Sequence, residues 1–219
     1  MKPKKQPLIL NLAASCRGTR ALGPGLRSVV WVQGCPFHCP GCIAPQWIPN
    51  RQAHQVTPEE LLPALLADPR IRGLTFSGGE PFLQSAALTH LARVARQERD
   101  LDIICFTGYL LEDLQRFPNR SWVHALLAEV DVLIDGPYRQ EENDNRGLRG
   151  SANQVVHHLT DRLADTDFLN QPRRAEIHVQ DGAVWVVGIP PVGMETQLNQ
   201  TIQKAVKDVW SQASHHLHS

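Results

Sequence analysis

Residues 28–42, SVVWVQGCPFHCPGC, join a short apolar segment directly to a group of cysteines. The segment 28–33 is rich in β-branched and aromatic residues, which is typical of a strand. Cys35, Cys39 and Cys42 follow it with the spacing C-x3-C-x2-C. The sequence therefore predicts a strand that ends in a metal-binding loop.

The rest of the chain alternates between strand and helix patterns. Short apolar runs separated by helical patterns are typical of a parallel sheet covered by helices. We therefore expect an α/β fold. Strands are predicted over 8–14, 28–33, 71–76, 101–106 and 130–135, and helices from Thr57, over 83–98, and after Tyr109 to about residue 128.

Two more elements are predicted near the end of the chain. Asp181-Gly182 lies between two apolar runs, which predicts a β-hairpin over 176–188. An amphipathic helix is predicted over 195–211. We divide the chain into an N-terminal extension and strand (1–27), a core (28–165), and a C-terminal hairpin, helix and tail (166–219).

Composition limits the class of protein. The 219 residues contain 22 Lys and Arg against 22 Asp and Glu. This balance lacks the basic footprint of a nucleic-acid binder, so we expect no nucleic-acid partner. We find no apolar run suited to a signal peptide or a membrane span, and we expect a cytoplasmic protein without a membrane partner. Five cysteines, an odd number, favour metal chemistry over a disulfide framework.

Polar and glycine-rich segments follow the predicted strands. They are the cysteine loop, Ser77-Gly78-Gly79-Glu80-Pro81, Thr107-Gly108-Tyr109, and the loop after Asp135. The carboxyl ends of parallel strands meet at one edge of a sheet, and ligands bind there. We therefore expect these segments to form a single site.

The cysteine spacing indicates the kind of metal centre. Thiolates are soft ligands that suit zinc or iron–sulfur clusters. A closed zinc site needs four ligands, for which His38, Cys16 and Cys105 are the candidates to complete the set. A 4Fe-4S cluster on three cysteines would instead leave one iron free to bind the amino and carboxylate groups of a small molecule. We expect the cluster, with structural zinc as the alternative.

The motif C-x3-C-x2-C after one strand and GGEP after the next resemble the radical SAM superfamily. GCPFHCPGC, VLIDGPY and RGSANQVV further resemble the activating enzymes of glycyl radical enzymes, in particular the activators of anaerobic ribonucleotide reductase. The resemblance covers roughly residues 28–160. It implies a partial (β/α)6-type radical SAM barrel with parallel strands, a 4Fe-4S cluster on Cys35, Cys39 and Cys42, and S-adenosyl-L-methionine (SAM).

The resemblance also implies roles for individual residues. The GGEP segment would contact the amino group of SAM, and the backbone around Gly41, Cys42 and Ile43 would meet its adenine. From the residues alone, Glu80 can also hold the turn, since carboxylates are favoured at helix starts. We expect Phe37 to pack either over the cluster or within the ordinary hydrophobic core. The full set of expected cofactor-binding residues is Phe37, Gly41, Cys42, Ile43, Ser77, Gly78, Gly79, Glu80, Pro81, Thr107, Asp135 and Arg149.

The last three of these residues have alternatives of their own. Thr107 and Asp135 end predicted strands and are candidates to bind ribose hydroxyls, the SAM carboxylate or a cation. Asp135 is otherwise a turn residue before a glycine. The resemblance implies that Arg149 holds SAM or the protein substrate, the alternative being a solvated arginine. Cys105 is expected to be a buried apolar residue, and Cys16 to be structural.

The implied reaction begins with one electron from an external donor such as a flavodoxin. SAM is cleaved to methionine and a 5′-deoxyadenosyl radical, which takes hydrogen from a backbone glycine of a partner enzyme such as anaerobic ribonucleotide reductase. Two rival functions remain open. One is a radical SAM enzyme acting on a peptide or small molecule, as a deazaguanine synthase does. The other is a non-catalytic metal-binding module.

Overall fold

The computed structural model describes residues 7–117, 121–180, 183–194, 196, 197 and 200. The strands are β1 (Leu10–Thr19), β2 (Leu26–Val32), β3 (His54–Val56), β4 (Ile71–Gly78), β5 (Asp102–Phe106), β6 (Val132–Asp135), β7 (Val155–His158), β8 (Ala175–Gln180) and β9 (Ala183–Gly188). The α-helices are α1 (Pro58–Leu65), α2 (Ser85–Glu98), α3 (Leu111–Arg116) and α4 (Ser121–Leu127). Short 3-10 helices cover Pro45–Trp47, Pro81–Gln84, Gln140–Glu142 and Asp161–Leu163.

Seven strands form one mixed sheet in the order β3-β1-β2-β4-β5-β6-β7. Its central strands β2, β4, β5 and β6 are parallel, which confirms the α/β class. The outer strands β1, β3 and β7 are antiparallel to their neighbours, which differs from the expectation of parallel strands. The connection between β1 and β2 is short, and a short hairpin connection can join only antiparallel strands.

The first two predicted helices are confirmed, with the local features that predict them. At the start of α1, the Thr57 hydroxyl accepts from the Glu60 N–H at 3.2 Å, and the Glu60 carboxylate accepts from the Thr57 N–H at 2.8 Å. This reciprocal capping box satisfies backbone donors that a helix start leaves free. In α2 the residues at helical spacing, Leu88, Leu91, Ala92 and Ala95, are fully buried in the main core.

The helical segment predicted after Tyr109 forms two helices, α3 and α4. Pro118 lies between them in the sequence, and a proline interrupts the hydrogen bonds of a continuous helix. Residues 118–120 lie outside the described part of the chain.

No helix that the structure describes has both the length and the apolar character needed to cross a membrane.

The predicted C-terminal hairpin is confirmed, because β8 and β9 pair antiparallel from Ala175↔Gly188 onward. Its turn, Asp181-Gly182, and most of the helix predicted over 195–211 lie outside the described residues. The chain divides into two compact units, Met1–Ile189 and Pro190–Ser219, and the hairpin belongs to the first. Our division at residues 27/28 and 165/166 stays a prediction.

A buried ion pair joins three central strands near their amino ends. Arg27 is fully buried, pairs with Asp102, and donates from Nε to the Thr75 hydroxyl at 2.9 Å. Its Nη2 also donates to the Leu74 carbonyl at 2.8 Å. A Cβ at Gly73 would lie 2.6 Å from the guanidinium, so glycine leaves the space it needs. Partners on β4 and β5 thus offset the cost of burying this charge on β2.

Replacing Thr57 by alanine should destabilise the protein by about 1 kcal/mol, because the first turn of α1 loses its capping hydroxyl. Urea unfolding monitored by circular dichroism would measure the loss. Thr57→Ser keeps the hydroxyl and is the matched control, expected to unfold close to the wild-type midpoint. Equal midpoints for Thr57→Ala and the wild type would contradict the stabilising role of this cap.

Candidate functional site

The cysteine loop is closed at its base by backbone hydrogen bonds. It leaves the end of β2, and the Gly34 and Cys35 amides donate to the carbonyls of Trp47 and Ile48, both at 2.9 Å. The Gln33 side chain donates to the Pro49 carbonyl at 2.7 Å. These bonds hold the two ends of the loop together beyond the carboxyl end of β2.

The turn after β4 packs directly against this loop. The Gly79 amide donates to the Val32 carbonyl at 2.7 Å, and the Glu80 amide to the Gly34 carbonyl at 2.8 Å. A Cβ on Gly79 would lie only 2.2 Å from the Gly34 oxygen, and Gly78 adopts a φ of +108°. The two glycines therefore allow this turn and the cysteine loop to touch through their backbones. The expectation that Gly78 and Gly79 also let the backbone approach a bound ligand stays a prediction.

Glu80 joins this turn to the end of β5. Its side chain is buried, with 1% of the residue exposed. The carboxylate accepts hydrogen bonds from the Phe82 amide at 2.9 Å, the Thr107 hydroxyl at 2.8 Å and the Gly108 amide at 2.8 Å. Burial raises the pKa of Glu80 to about 7, although these donors act in the opposite direction. Glu80 thus holds the turn, and its contact with the SAM amino group stays a prediction.

Phe37 connects the cysteine loop to the same strand end. Its ring lies against Gly108, where a Cβ would approach the Phe37 ring to 2.5 Å. It also packs edge-on against Tyr109, with ring centroids 4.9 Å apart. The half-buried Phe37 ring therefore covers the end of β5 and gives the cysteine loop an apolar contact with it.

The three motif thiols lie on one loop, and the surroundings of Cys35 and Cys39 disfavour their ionised form. All three are free and half-buried. Burial, with smaller contributions from the charges of Glu80, Cys39 and Cys42, raises the pKa of Cys35 to about 11, although a hydrogen bond from the Phe37 backbone acts in the opposite direction. Burial also raises the pKa of Cys39, opposed by a hydrogen bond from the Tyr138 backbone. The charges acting on Cys35 are all negative, so a cationic centre bound there would favour its thiolate.

Three thiols on one loop match the number of thiolate ligands that a 4Fe-4S cluster with one open iron needs. Within the described ranges, no three His, Cys, Asp or Glu side chains are gathered so that they could hold one metal ion. A cubane cluster binds its three thiolates at separate irons, and so holds them farther apart than one tetrahedral ion does. Of the candidate fourth zinc ligands, Cys16 is buried on β1 and Cys105 is fully buried in the core, as expected. His38 is exposed on the cysteine loop itself.

The Asp135 carboxylate accepts hydrogen bonds from backbone amides around the end of β6. It is 3% exposed and accepts from the Leu111 amide at 2.7 Å and the Val155 amide at 3.3 Å. His157 Nε2 lies 3.0 Å from its Oδ2. Asp135 therefore joins α3 and β7 to β6, which is a larger structural role than that of a turn residue. Its binding of SAM or a cation stays a prediction.

Arg149 organises the loop between β6 and β7. It pairs with Asp144 at 2.6 Å and donates to the Ala152 carbonyl at 3.0 Å. With 18% of its side chain exposed, it is not the solvated arginine of our alternative. A contact between Arg149 and SAM or a protein substrate stays a prediction.

The remaining expected residues occupy different surroundings. Ile43 is 68% exposed beside the cysteines, and Pro81 is buried at the start of its 3-10 helix. Ser77 pairs with Trp31 across β2 and β4. Gly41 has a φ of +71°, and a Cβ there would lie 2.5 Å from the Gln140 side chain.

Sequence reasoning missed two residues beside the cysteines. The backbone of Tyr138 bonds to the Cys39 thiol, and the Gln140 side chain lies against Gly41. The motif VLIDGPY ends at Tyr138, and this motif was the sequence signal that could have identified Tyr138. No signal marked Gln140.

Comparison with known proteins extends these observations. A family model described as a 4Fe-4S single cluster domain matches residues 21–157. The anaerobic ribonucleoside-triphosphate reductase-activating protein of Vibrio cholerae is 41% identical over 147 residues, which cover 63% of this chain and 91% of that protein. The proteins of the same name from Haemophilus influenzae and Escherichia coli K12 are 36% and 35% identical, over 62% and 63% of this chain and 89% and 91% of their own lengths.

The free energy of unfolding should fall as pH rises from about 5 to about 7. Burial raises the pKa of Glu80 from 4.5 to about 7 in the folded chain, so the folded chain keeps a proton there that the unfolded chain releases. This contribution is greatest below the ordinary pKa and is lost as pH rises through the folded one. Urea midpoints of anaerobically reconstituted protein would measure it.

Glu80→Gln is the control, because the amide does not ionise. The stability advantage of the wild type over Glu80→Gln should shrink across this pH range and then level off. A difference that stays constant from about pH 5 to about pH 8 would show that Glu80 does not titrate there.

Proposed function

The chain belongs to the 4Fe-4S single cluster domain family and, within the radical SAM superfamily, to the activating enzymes of glycyl radical enzymes; on this premise we propose that it cleaves SAM reductively and generates a glycyl radical on an anaerobic ribonucleotide reductase. One observation carries the proposal. Three free thiols lie on one loop beyond the carboxyl end of β2, and the Gly34 backbone and the Phe37 ring of this loop contact the turns after β4 and β5.

Cys35, Cys39 and Cys42 would hold the 4Fe-4S cluster. Such a cluster, when bound, supplies the electron that breaks the S–C5′ bond of SAM and leaves one iron open to its amino and carboxylate groups. The chain contributes orientation and shielding. Phe37 would shield one side of the cluster from water, and the backbone N–H of Tyr138 would stabilise the thiolate of Cys39.

The neighbouring turns would hold SAM. We assign its amino group to the segment Ser77–Pro81 and its adenine to the backbone of Gly41, Cys42 and Ile43. The position of the first segment against the cysteine loop and the exposure of Ile43 support this assignment. Thr107, Asp135 and Arg149 are the proposed contacts to the rest of SAM or to the protein substrate, and each already fixes a loop at this edge.

The remaining parts of the proposal concern the setting of the reaction. The relatives' name supports a reductase partner, and an external flavodoxin-like protein would supply the electron. We propose a cytoplasmic location, because all five cysteines are free and thiols persist in a reducing compartment. The four parallel strands support a partial (β/α)6-type barrel as the finer fold.

Alanine replacements of Cys35, Cys39 and Cys42, made one at a time, should abolish cluster binding and SAM cleavage. After anaerobic reconstitution the wild type should hold about four irons per chain and form 5′-deoxyadenosine with dithionite and SAM. Cys16→Ala is the matched control and should retain both, because Cys16 lies on β1 and is no proposed ligand. Normal product from any motif variant, or a single tightly bound zinc in the wild type, would refute the assignment.

The protein substrate is tested separately. Mixing the reconstituted enzyme and SAM with an anaerobic ribonucleotide reductase should produce a glycine-centred EPR signal on the reductase. Formation of 5′-deoxyadenosine with no such signal would instead indicate a radical SAM enzyme that acts on a peptide or a small molecule.

A further inference from the structure

The two ends of the loop between β6 and β7 are joined to each other by side chains. The second half of this loop contains the sequence RGSANQ, residues 149–154, of which the proposed function uses only Arg149. Three further side chains of this segment bind the backbone of the first half, and they are those of Ser151, Asn153 and Gln154. We call these three residues the amide clamp.

Two members of the amide clamp fix the backbone on either side of Tyr138. Gln154 Nε2 donates to the Gly136 carbonyl at 2.8 Å, before the tyrosine. The Ser151 hydroxyl accepts from the Arg139 amide at 3.0 Å, after the tyrosine. Ser151 is fully buried and Gln154 is 8% exposed, so water competes little for these hydrogen bonds. The backbone at Tyr138 therefore has little freedom to turn.

Asn153 holds the peptide group between Pro137 and Tyr138. Its Nδ2 donates to the Pro137 carbonyl at 2.8 Å, and the N–H of the same peptide group donates to the Cys39 sulfur. The carbonyl and the N–H of a planar trans peptide point in opposite directions. A donor fixed on the carbonyl therefore keeps the N–H directed at Cys39. It also polarises the peptide group, which strengthens the N–H as a donor.

The same backbone stretch touches the cysteine loop at a second place. A Cβ at Gly41 would lie 2.5 Å from the Gln140 side chain, so Gln140 lies against the cysteine loop between Cys39 and Cys42. This contact is independent of the hydrogen bond from Tyr138. The clamped backbone therefore lies along the cysteine loop rather than meeting it at one atom.

We propose that the amide clamp sets the reduction potential of the 4Fe-4S cluster through the Tyr138 N–H, with Asn153 as the positioning residue. This inference rests on the cluster assigned in the proposed function. When the cluster takes one electron from an external donor, its thiolates share the added negative charge. An N–H donor on the Cys39 sulfur stabilises the reduced form more than the oxidised form and so raises the potential. The clamp thus makes the cluster easier to reduce.

Anaerobic redox titration of the reconstituted protein without SAM, followed by EPR of the reduced cluster, tests the proposal. Asn153→Leu and Asn153→Ala both remove the donor to the Pro137 carbonyl, and leucine does so with little change in volume. At the wild-type midpoint potential, the ratio of reduced to oxidised cluster should fall at least about threefold in both variants. This fall is a shift of about 28 mV to lower potential, at about 59 mV per tenfold change for one electron.

Tyr138→Phe is the matched control. It removes the hydroxyl that accepts from Asn143 Nδ2 at 3.3 Å and keeps the backbone N–H, so its midpoint should equal that of the wild type. An unchanged midpoint in both Asn153 variants would overturn the proposal. An equal shift in Tyr138→Phe would also overturn it, because the effect would then come from a general disturbance of the loop. Loss of the cluster from both Asn153 variants would show that the clamp holds the cluster rather than tuning it, and would likewise overturn the proposal.

Iron content and product formation separate this inference from the proposed function. A wild type without about four irons per chain would remove the cluster and this inference together. A wild type that holds its cluster, and whose Asn153 variants show the expected shift, supports the inference even if no 5′-deoxyadenosine forms. The absence of that product would then contradict only the proposed cleavage of SAM.

Discussion

The buried carboxylate of Glu80 is the interaction on which the arrangement of the site depends. It accepts hydrogen bonds from Phe82 in its own turn and from Thr107 and Gly108 after β5. Its backbone amide donates to Gly34 beside the first cysteine. One residue therefore fixes three segments that are far apart in the chain. Burying a carboxylate is costly, and these donors are what make the position tolerable.

Around Glu80, the parallel centre of the sheet determines where chemistry can occur. The strands β2, β4 and β5 all end at the edge where the cysteine loop lies. The antiparallel outer strands widen the sheet. They place no further turn between the central strands at the edge with the cysteine loop. The long loop after β6 reaches the cysteines as well, through Tyr138 and Gln140. The site is thus built from loops on a rigid support, as in other α/β proteins.

Cys35 and Cys39 are in an environment that resists the ionisation of their thiols. Burial and neighbouring negative charge both raise the pKa of Cys35. A thiolate is nevertheless the form that binds iron, so the cluster proposed for this loop would have to supply positive charge as it assembles. The half-buried positions of the thiols also limit their access to water. A structural preference for the neutral thiol and a functional need for the thiolate therefore coexist in one loop.

The sequence by itself determined the elements whose causes are local. The cap at Thr57, the spacing of Cys35, Cys39 and Cys42, and the hairpin around Asp181-Gly182 each depend on residues a few positions apart. Tertiary structure alone decided the roles of Glu80, Asp135 and Arg149. Their partners lie on other elements, and a carboxylate or guanidinium accepts many partners equally well. Only the packing of the chain selects which donors and acceptors come within hydrogen-bond distance, and pattern along the sequence carries no record of that choice.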